Sequence, residues 1–209
     1  MSRFFPLLFL FLSVAQAAPT DPVKIHIHTS YGEITLELYP DKAPQTVANF
    51  LRYVDSGFYA NTIFHRVIRD FMIQGGGHDL NYQQKPTLGR IPNEAANGLK
   101  NKRGTIAMAR SSDPHSATTQ FFINLVDNPY LDFTAKDLRG WGYCVFGRVV
   151  AGMDVVDKIG TAPTGPAGPF VGDVPQGSIV IERIVRAEKI KQVPEKPAAQ
   201  PATTTKEKS

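Results

Sequence analysis

A chain of 209 residues with 42% hydrophobic and 20% charged residues has the size and make-up of one substantial globular domain, which excludes wholly disordered and collagen-like classes. The formal net charge of +4 sits mostly at the ends: removing +1 for Arg3 and +2 for residues 188–209, with five Lys against three Glu, leaves about +1 for the body. So neutral a body lacks the clustered basic footprint of a nucleic-acid-binding face, and a single cysteine, Cys144, excludes an intramolecular disulfide.

MSRFFPLLFLFLSVAQA, residues 1–17, combines one positive residue, an apolar run and a small-residue cleavage site, the pattern of a secretory signal peptide. The apolar run, Phe4 to Val14, is too short to cross a hydrocarbon layer, which needs about 20 helical residues. The expectation is an exported protein, periplasmic or secreted, with the periplasm favoured if the source is Gram-negative, and with no membrane anchor once cleaved after Ala17.

From Val23 the chain alternates, with Val23, Ile25 and Ile27 set against Lys24, His26 and His28, and does so again after Gly32, predicting an antiparallel hairpin with one wet face. His26 and His28 share that face. They read as solvated, or as two ligands of a metal whose third ligand is not visible, and no metal or cofactor is expected. Asp41 to Asp55 shifts to helical spacing through Val47, Phe50, Leu51 and Val54, with Pro44 near the start and Gly57 beyond the end.

Strand character returns over Thr62–Ile68 and Phe71–Gln74, followed by an irregular, polar stretch from Gly75 to Lys102 of the kind that carries function. Gly75, Gly76 and Gly77 match no phosphate-binding motif and read as a tight turn or strand bend. Short strands are predicted at Gly104–Met108, Gln120–Asn124 and Tyr143–Gly147, a second helix over Met153–Ile159 and a closing strand over Ser178–Val185. Cys144 reads as a small buried apolar residue. The segment from residue 188 to 209, rich in Lys, Pro, Ala and Thr, reads as a flexible tail, leaving one domain over residues 18–187. Many short strands without βαβ alternation point to a mainly β protein, an antiparallel barrel or sandwich.

His65, His78 and His115 are scattered, and neither H-E-x-x-H nor G-x-S-x-G occurs. Arg66 is the anomaly, a charge in an apolar strand. Strict alternation places it with Phe64 and Ile68 on one face and Ile63, His65 and Val67 on the other, and composition leaves open whether it is structural or faces a ligand.

The run FHRVIRDFMIQGGG, followed in order by GTIAMAR, SATTQFFINL, YLD and VFGRVVAGMDVVDKI, resembles the cyclophilin family of peptidyl-prolyl cis-trans isomerases over about Val23 to Ala187, and most closely its short-looped exported bacterial type. The resemblance implies a closed eight-stranded antiparallel β-barrel capped by two α-helices, with a peptide groove on one outer face. It implies that Arg66 addresses the prolyl nitrogen and that Phe71, Met72, Phe122 and Leu131 hold the proline ring. Gln74 and Gln120 then bind peptide backbone, and the main chain of Ala109 and Arg110 pairs with the substrate. Three positions depart from the family. Arg110 stands where asparagine is usual, Tyr130 where eukaryotic members carry the tryptophan that contacts cyclosporin, and Tyr143 where they carry a pocket histidine. Weak cyclosporin binding is the implied result. The expected partners are unfolded or partly folded proline-containing polypeptides, met by a monomer. The rival expectation is a module of this fold, such as a holdase, that binds proline segments without turnover.

Overall fold

The computed structural model describes residues 22–187, so the predicted signal peptide and tail lie outside the described residues. β1 (Val23–Thr29) and β2 (Gly32–Leu38) form the expected hairpin, in register from Val23 opposite Leu38 to Thr29 opposite Gly32. Thr29 closes the turn, its hydroxyl donating to the Gly32 carbonyl at 2.7 Å and accepting from the Tyr31 N–H at 3.1 Å. Helix α1 (Pro44–Asp55) buries Val47, Phe50, Leu51 and Val54. It starts later than predicted because residues 40–42 make a turn.

The remaining barrel strands are β3 (Thr62–Ile68), β4 (Met72–Asp79), β5 (Thr105–Met108), β6 (Phe121–Asn124) and β7 (Val145–Ala151). Helix α2 (Met153–Gly160) follows, then a small hairpin of β8 (Thr164–Ala167) and β9 (Phe170–Pro175), then β10 (Val180–Arg186). The barrel runs β1, β10, β3, β4, β6, β5, β7, β2 and closes on β1, with every neighbouring pair antiparallel. This is the closed eight-stranded antiparallel barrel with two helices that the family resemblance implied. The β8–β9 hairpin was not anticipated, because TGPAGPFVGDVP has the glycines and prolines of a loop and no apolar alternation.

Period two decides what fills the barrel and what lies outside it. Ile73, Ile123 and Ile106 stand side by side in register and point inward, while Gln74, Phe122 and Ala107, one residue along each strand, point outward. The interior is closed under α1 by an aromatic group in which Phe50 meets Tyr59 at 5.2 Å, Phe146 at 5.3 Å and Phe121 at 5.7 Å between ring centroids. Outside the barrel wall lies a second apolar cluster of Met72, Ala107, Phe122, Leu131 and Val145.

Two strand readings need correction. Phe64 does not share a face with Arg66: it packs in the core with Val67, while His65 and Arg66 both turn outward. The cause is a register shift, since Phe64 pairs with Gly75 and Arg66 with Gln74, which puts an extra residue on β3. The glycines are not the start of an irregular stretch either; they lie inside β4. Gly76 has φ +80°, and a Cβ there would stand 2.7 Å from the Phe121 ring and 2.9 Å from Tyr59. At Gly77 a Cβ would meet the Gln120 side chain at 2.4 Å. The strand bends there because neighbouring side chains need the space.

Candidate active site

An open groove of about 360 Å³ lies on the outer face of β3, β4 and β6. Of the residues singled out in the sequence, Arg66, Phe71, Met72, Gln74, Ala109, Arg110, Gln120, Phe122, Leu131 and Tyr143 all line it, although they come from separated parts of the chain. Tyr130 does not. Its side chain is 69% exposed, packs on the Phe71 ring at 5.9 Å and donates its hydroxyl to Asn128 Oδ1 at 3.0 Å, so it braces the pocket's rim from outside.

The apolar end is framed by buried asparagines that sequence reading passed over. Asn128 Nδ2 donates to the Phe71 carbonyl at 3.1 Å and to Asn124 Oδ1 at 2.8 Å. Asn124 Nδ2 donates to Thr105 Oγ1 at 2.9 Å, and Asn101 Nδ2 to the Leu131 carbonyl at 3.1 Å. The loops bearing Phe71 and Leu131 are thereby tied to the barrel. Phe122 and Tyr143 complete the wall edge to face at 5.6 Å. Arg110 lies over the Tyr143 ring, 4.6 Å from its centroid, and donates Nε to the Gly142 carbonyl at 2.9 Å and Nη1 to the Ser111 carbonyl at 2.9 Å. Its charge is turned into the wall of the groove.

The polar middle is pre-set. Gln74 Nε2 donates to Gln120 Oε1 at 2.9 Å, and the Ala109 N–H donates to the Gln120 carbonyl at 3.0 Å. The Arg66 side chain is 45% exposed, and its Nε stands 3.5 Å from Asp173 Oδ2 on β9, a residue with φ +63°.

Three lining residues escaped the sequence reading. His65 and His78, thirteen positions apart in sequence, bring their rings to 4.4 Å, and Phe170 of the unexpected hairpin stacks on His65 at 5.5 Å and meets His78 edge-on at 5.2 Å. The β3 register shift is what turns His65 outward, so strict alternation could not place it. His65 is 3% and His78 9% exposed, and neither Nδ1 has a hydrogen-bond partner among the described residues. Burial, then the neighbouring His78, pulls the His65 pKa down to about 4, and burial lowers His78 as well, so both rings are neutral near pH 7. The other histidines lie elsewhere. His115 accepts the Asn93 N–H at 3.0 Å, and His26 and His28 each place Nδ1 against the Glu33 carboxylate, at 2.8 and 3.3 Å. Such a groove suits a small apolar ring held beside a fixed cationic donor, with carboxamides for the flanking backbone.

The family model described as "Cyclophilin type peptidyl-prolyl cis-trans isomerase/CLD" matches residues 24–197. Peptidyl-prolyl cis-trans isomerase B of Escherichia coli (strain K12) is 57% identical over 164 residues, covering 78% of this chain and 99% of that protein. Peptidyl-prolyl cis-trans isomerase cyp18 of Streptomyces antibioticus is 58% identical over 158 residues, 76% of this chain and 95% of that one. A crystal structure of a cyclophilin type peptidyl-prolyl cis-trans isomerase from Cryptosporidium parvum, in the presence of dipeptide Ala-Pro, superposes with TM-score 0.64 at 29% identity, covering 79% of this chain and 99% of that one. With both the fold and the matched residues agreeing, the chain belongs to the cyclophilin-type peptidyl-prolyl cis-trans isomerases and is an enzyme of that activity.

Proposed function

We propose that this isomerase turns over Xaa-Pro bonds in the groove, with Arg66 as the catalytic group, and that it assists the folding of exported proteins. The single observation that carries the site is the placing of one half-exposed guanidinium at the mouth of an apolar pocket, its Nε toward Asp173. The solved relative in the presence of Ala-Pro lends support for the ligand class.

An Xaa-Pro bond prefers trans by only about 0.5–1 kcal/mol, yet amide resonance raises a barrier of about 18–20 kcal/mol between isomers. Catalysis therefore means binding the twisted amide better than either planar form. As the bond twists, resonance is lost, the prolyl nitrogen becomes pyramidal, and its lone pair, until then delocalised into the carbonyl, is localised on the nitrogen. A guanidinium aimed at that lone pair acts only in the twisted state, which is the condition for a lower barrier.

Phe71, Met72, Phe122, Leu131 and Tyr143 hold the ring while Gln74 and Gln120 restrain the flanking peptide. The Ala109 N–H is committed to Gln120, so pairing with the substrate main chain falls to its carbonyl. Arg110, anchored on Tyr143, contributes through its backbone and as a wall. Export rests on the leader-like residues 1–17, and a mature N-terminus at Ala18, read by mass spectrometry of protein recovered outside the cytoplasm, is the expected result.

The mechanism is tested by following cis–trans relaxation of an Ala-Pro peptide with Arg66→Ala. Loss of one preorganised donor predicts a fall in kcat/KM of about 100- to 1,000-fold with the ring pocket intact. Arg66→Lys should recover little, since the ammonium lacks the fixed planar array of donors. Activity unchanged in Arg66→Ala would remove Arg66 from the mechanism.

A further inference from the structure

His65, His78 and Phe170 line the same groove as the proline pocket, yet nothing in the reaction derived above uses them. They belong to neither apolar cluster of the barrel. They form a separate wall of three rings in mutual contact, at 4.4, 5.5 and 5.2 Å between centroids. Two of those rings are imidazoles more than nine-tenths buried, with Nδ1 atoms that find no partner among the described residues. A barrel wall needing only packing would be served at lower cost by leucine or phenylalanine. Unsatisfied buried polar groups kept together beside a site call for a functional reason.

The register shows where this wall stands relative to the proline. Along β4, Met72 belongs to the ring pocket, Gln74 lies opposite Arg66, and His78 lies four residues further on. At about 3.3 Å per strand residue, shortened because the four steps of β4 from Gly75 to Asp79 lie against only the two steps of β3 from Phe64 to Thr62, that distance is covered by two or three residues of an extended peptide plus a side chain. The Phe170 ring covers the wall from β9, and Asp173, farther along the same strand, holds Arg66.

We infer that His65, His78 and Phe170 form an aromatic subsite that receives a flat aromatic side chain two or three residues from the proline. Uncharged rings stacked edge and face offer such a side chain more contact than they offer alanine or a charged group. The subsite sets which Xaa-Pro segments are turned over fastest and leaves the bond chemistry to Arg66. It rests on the assignment of this groove to the isomerase reaction.

The test uses peptides with one Ala-Pro bond that differ only by Phe or Ala at the second and third positions on each side of it. A protease-free assay follows cis–trans relaxation directly, so that Phe does not alter the readout. The intact enzyme should favour Phe over Ala by about tenfold in kcat/KM at one of these positions. Phe170→Leu should bring that ratio to about one, while Phe170→Trp, which keeps a ring, should retain it. A ratio near one in the intact enzyme, or one that survives Phe170→Leu, overturns the subsite. Full activity of both Arg66→Ala and Phe122→Ala on the all-alanine peptide would instead overturn the groove assignment itself, which keeps the two failures apart.

Discussion

His65 and Cys144 show how far burial can move a single group. The imidazole of His65 titrates near 6.5 in an unfolded chain and near 4 in the fold, chiefly through desolvation and then through His78. Between those values the unfolded chain binds more protons than the native one, so stability falls as pH drops through this window and the loss is complete below about 4. The interval corresponds to up to about 3 kcal/mol, and His78, lowered by burial, adds to it in the same direction. Denaturant unfolding at pH 7.5 and pH 4 should show a loss between the two pH values that is smaller in His65→Leu; an equal loss in the variant would rule out the imidazole as its source. For Cys144, burial pushes the thiol up to about 11, and Sγ lies 3.6 Å from Thr46 Oγ1. It should resist thiol reagents at pH 8 until the barrel unfolds, and stoichiometric labelling of the native protein within minutes would contradict its enclosure. Composition made Cys144 legible as a buried apolar residue. It could not reveal the histidine pair, because the contact depends on an extra residue in β3.

Elements are supported by partners distant in sequence. α1 begins at Pro44 after Ala43, which has no side-chain oxygen to cap the first turn. Glu94, forty-eight residues beyond Thr46, supplies the cap, its carboxylate accepting from the Gln45 N–H at 3.1 Å and the Thr46 N–H at 2.8 Å. Glu94→Ala should therefore cost about 1–2 kcal/mol in denaturant unfolding, and Glu94→Gln, which keeps an acceptor, should cost less. No change in either variant would mean that the first turn is satisfied without Glu94. Periodicity made β1 and β2 legible almost to the residue and α1 to within a turn, since each alternates or repeats cleanly, and it found the span of β3 but not its faces. It stopped at the β8–β9 hairpin and the asparagine frame. The hairpin takes its shape from pairing and turns in a Pro- and Gly-rich segment. Asn101, Asn124 and Asn128 look like surface residues until their carbonyl and amide partners are in place.

At the scale of the molecule, period-two patterning narrowed the fold to an antiparallel barrel or sandwich, and only the family resemblance, carried by FHRVIRDFMIQGGG and the runs after it, reached eight strands and the groove. The site was legible for the same reason: its residues come from five separated segments, and no local pattern joins Arg66 to Phe122 or Tyr143. The interior that holds those segments in place hangs on the ring cluster beneath α1, where Phe146 is fully buried against Phe50. Phe146→Ala should cost about 3–5 kcal/mol in denaturant unfolding, and a loss under 1 kcal/mol would mean that the cluster does not hold the barrel together. Closure of β2 back onto β1 has a consequence for the company this enzyme keeps. An open sheet exposes a row of free amide and carbonyl groups that can recruit an extended chain as its next strand. All eight barrel strands have two neighbours, so the barrel has no edge strand to which an extended polypeptide entering the groove could be added as a ninth. It can be gripped at its proline, rotated and let go without being drawn into the sheet.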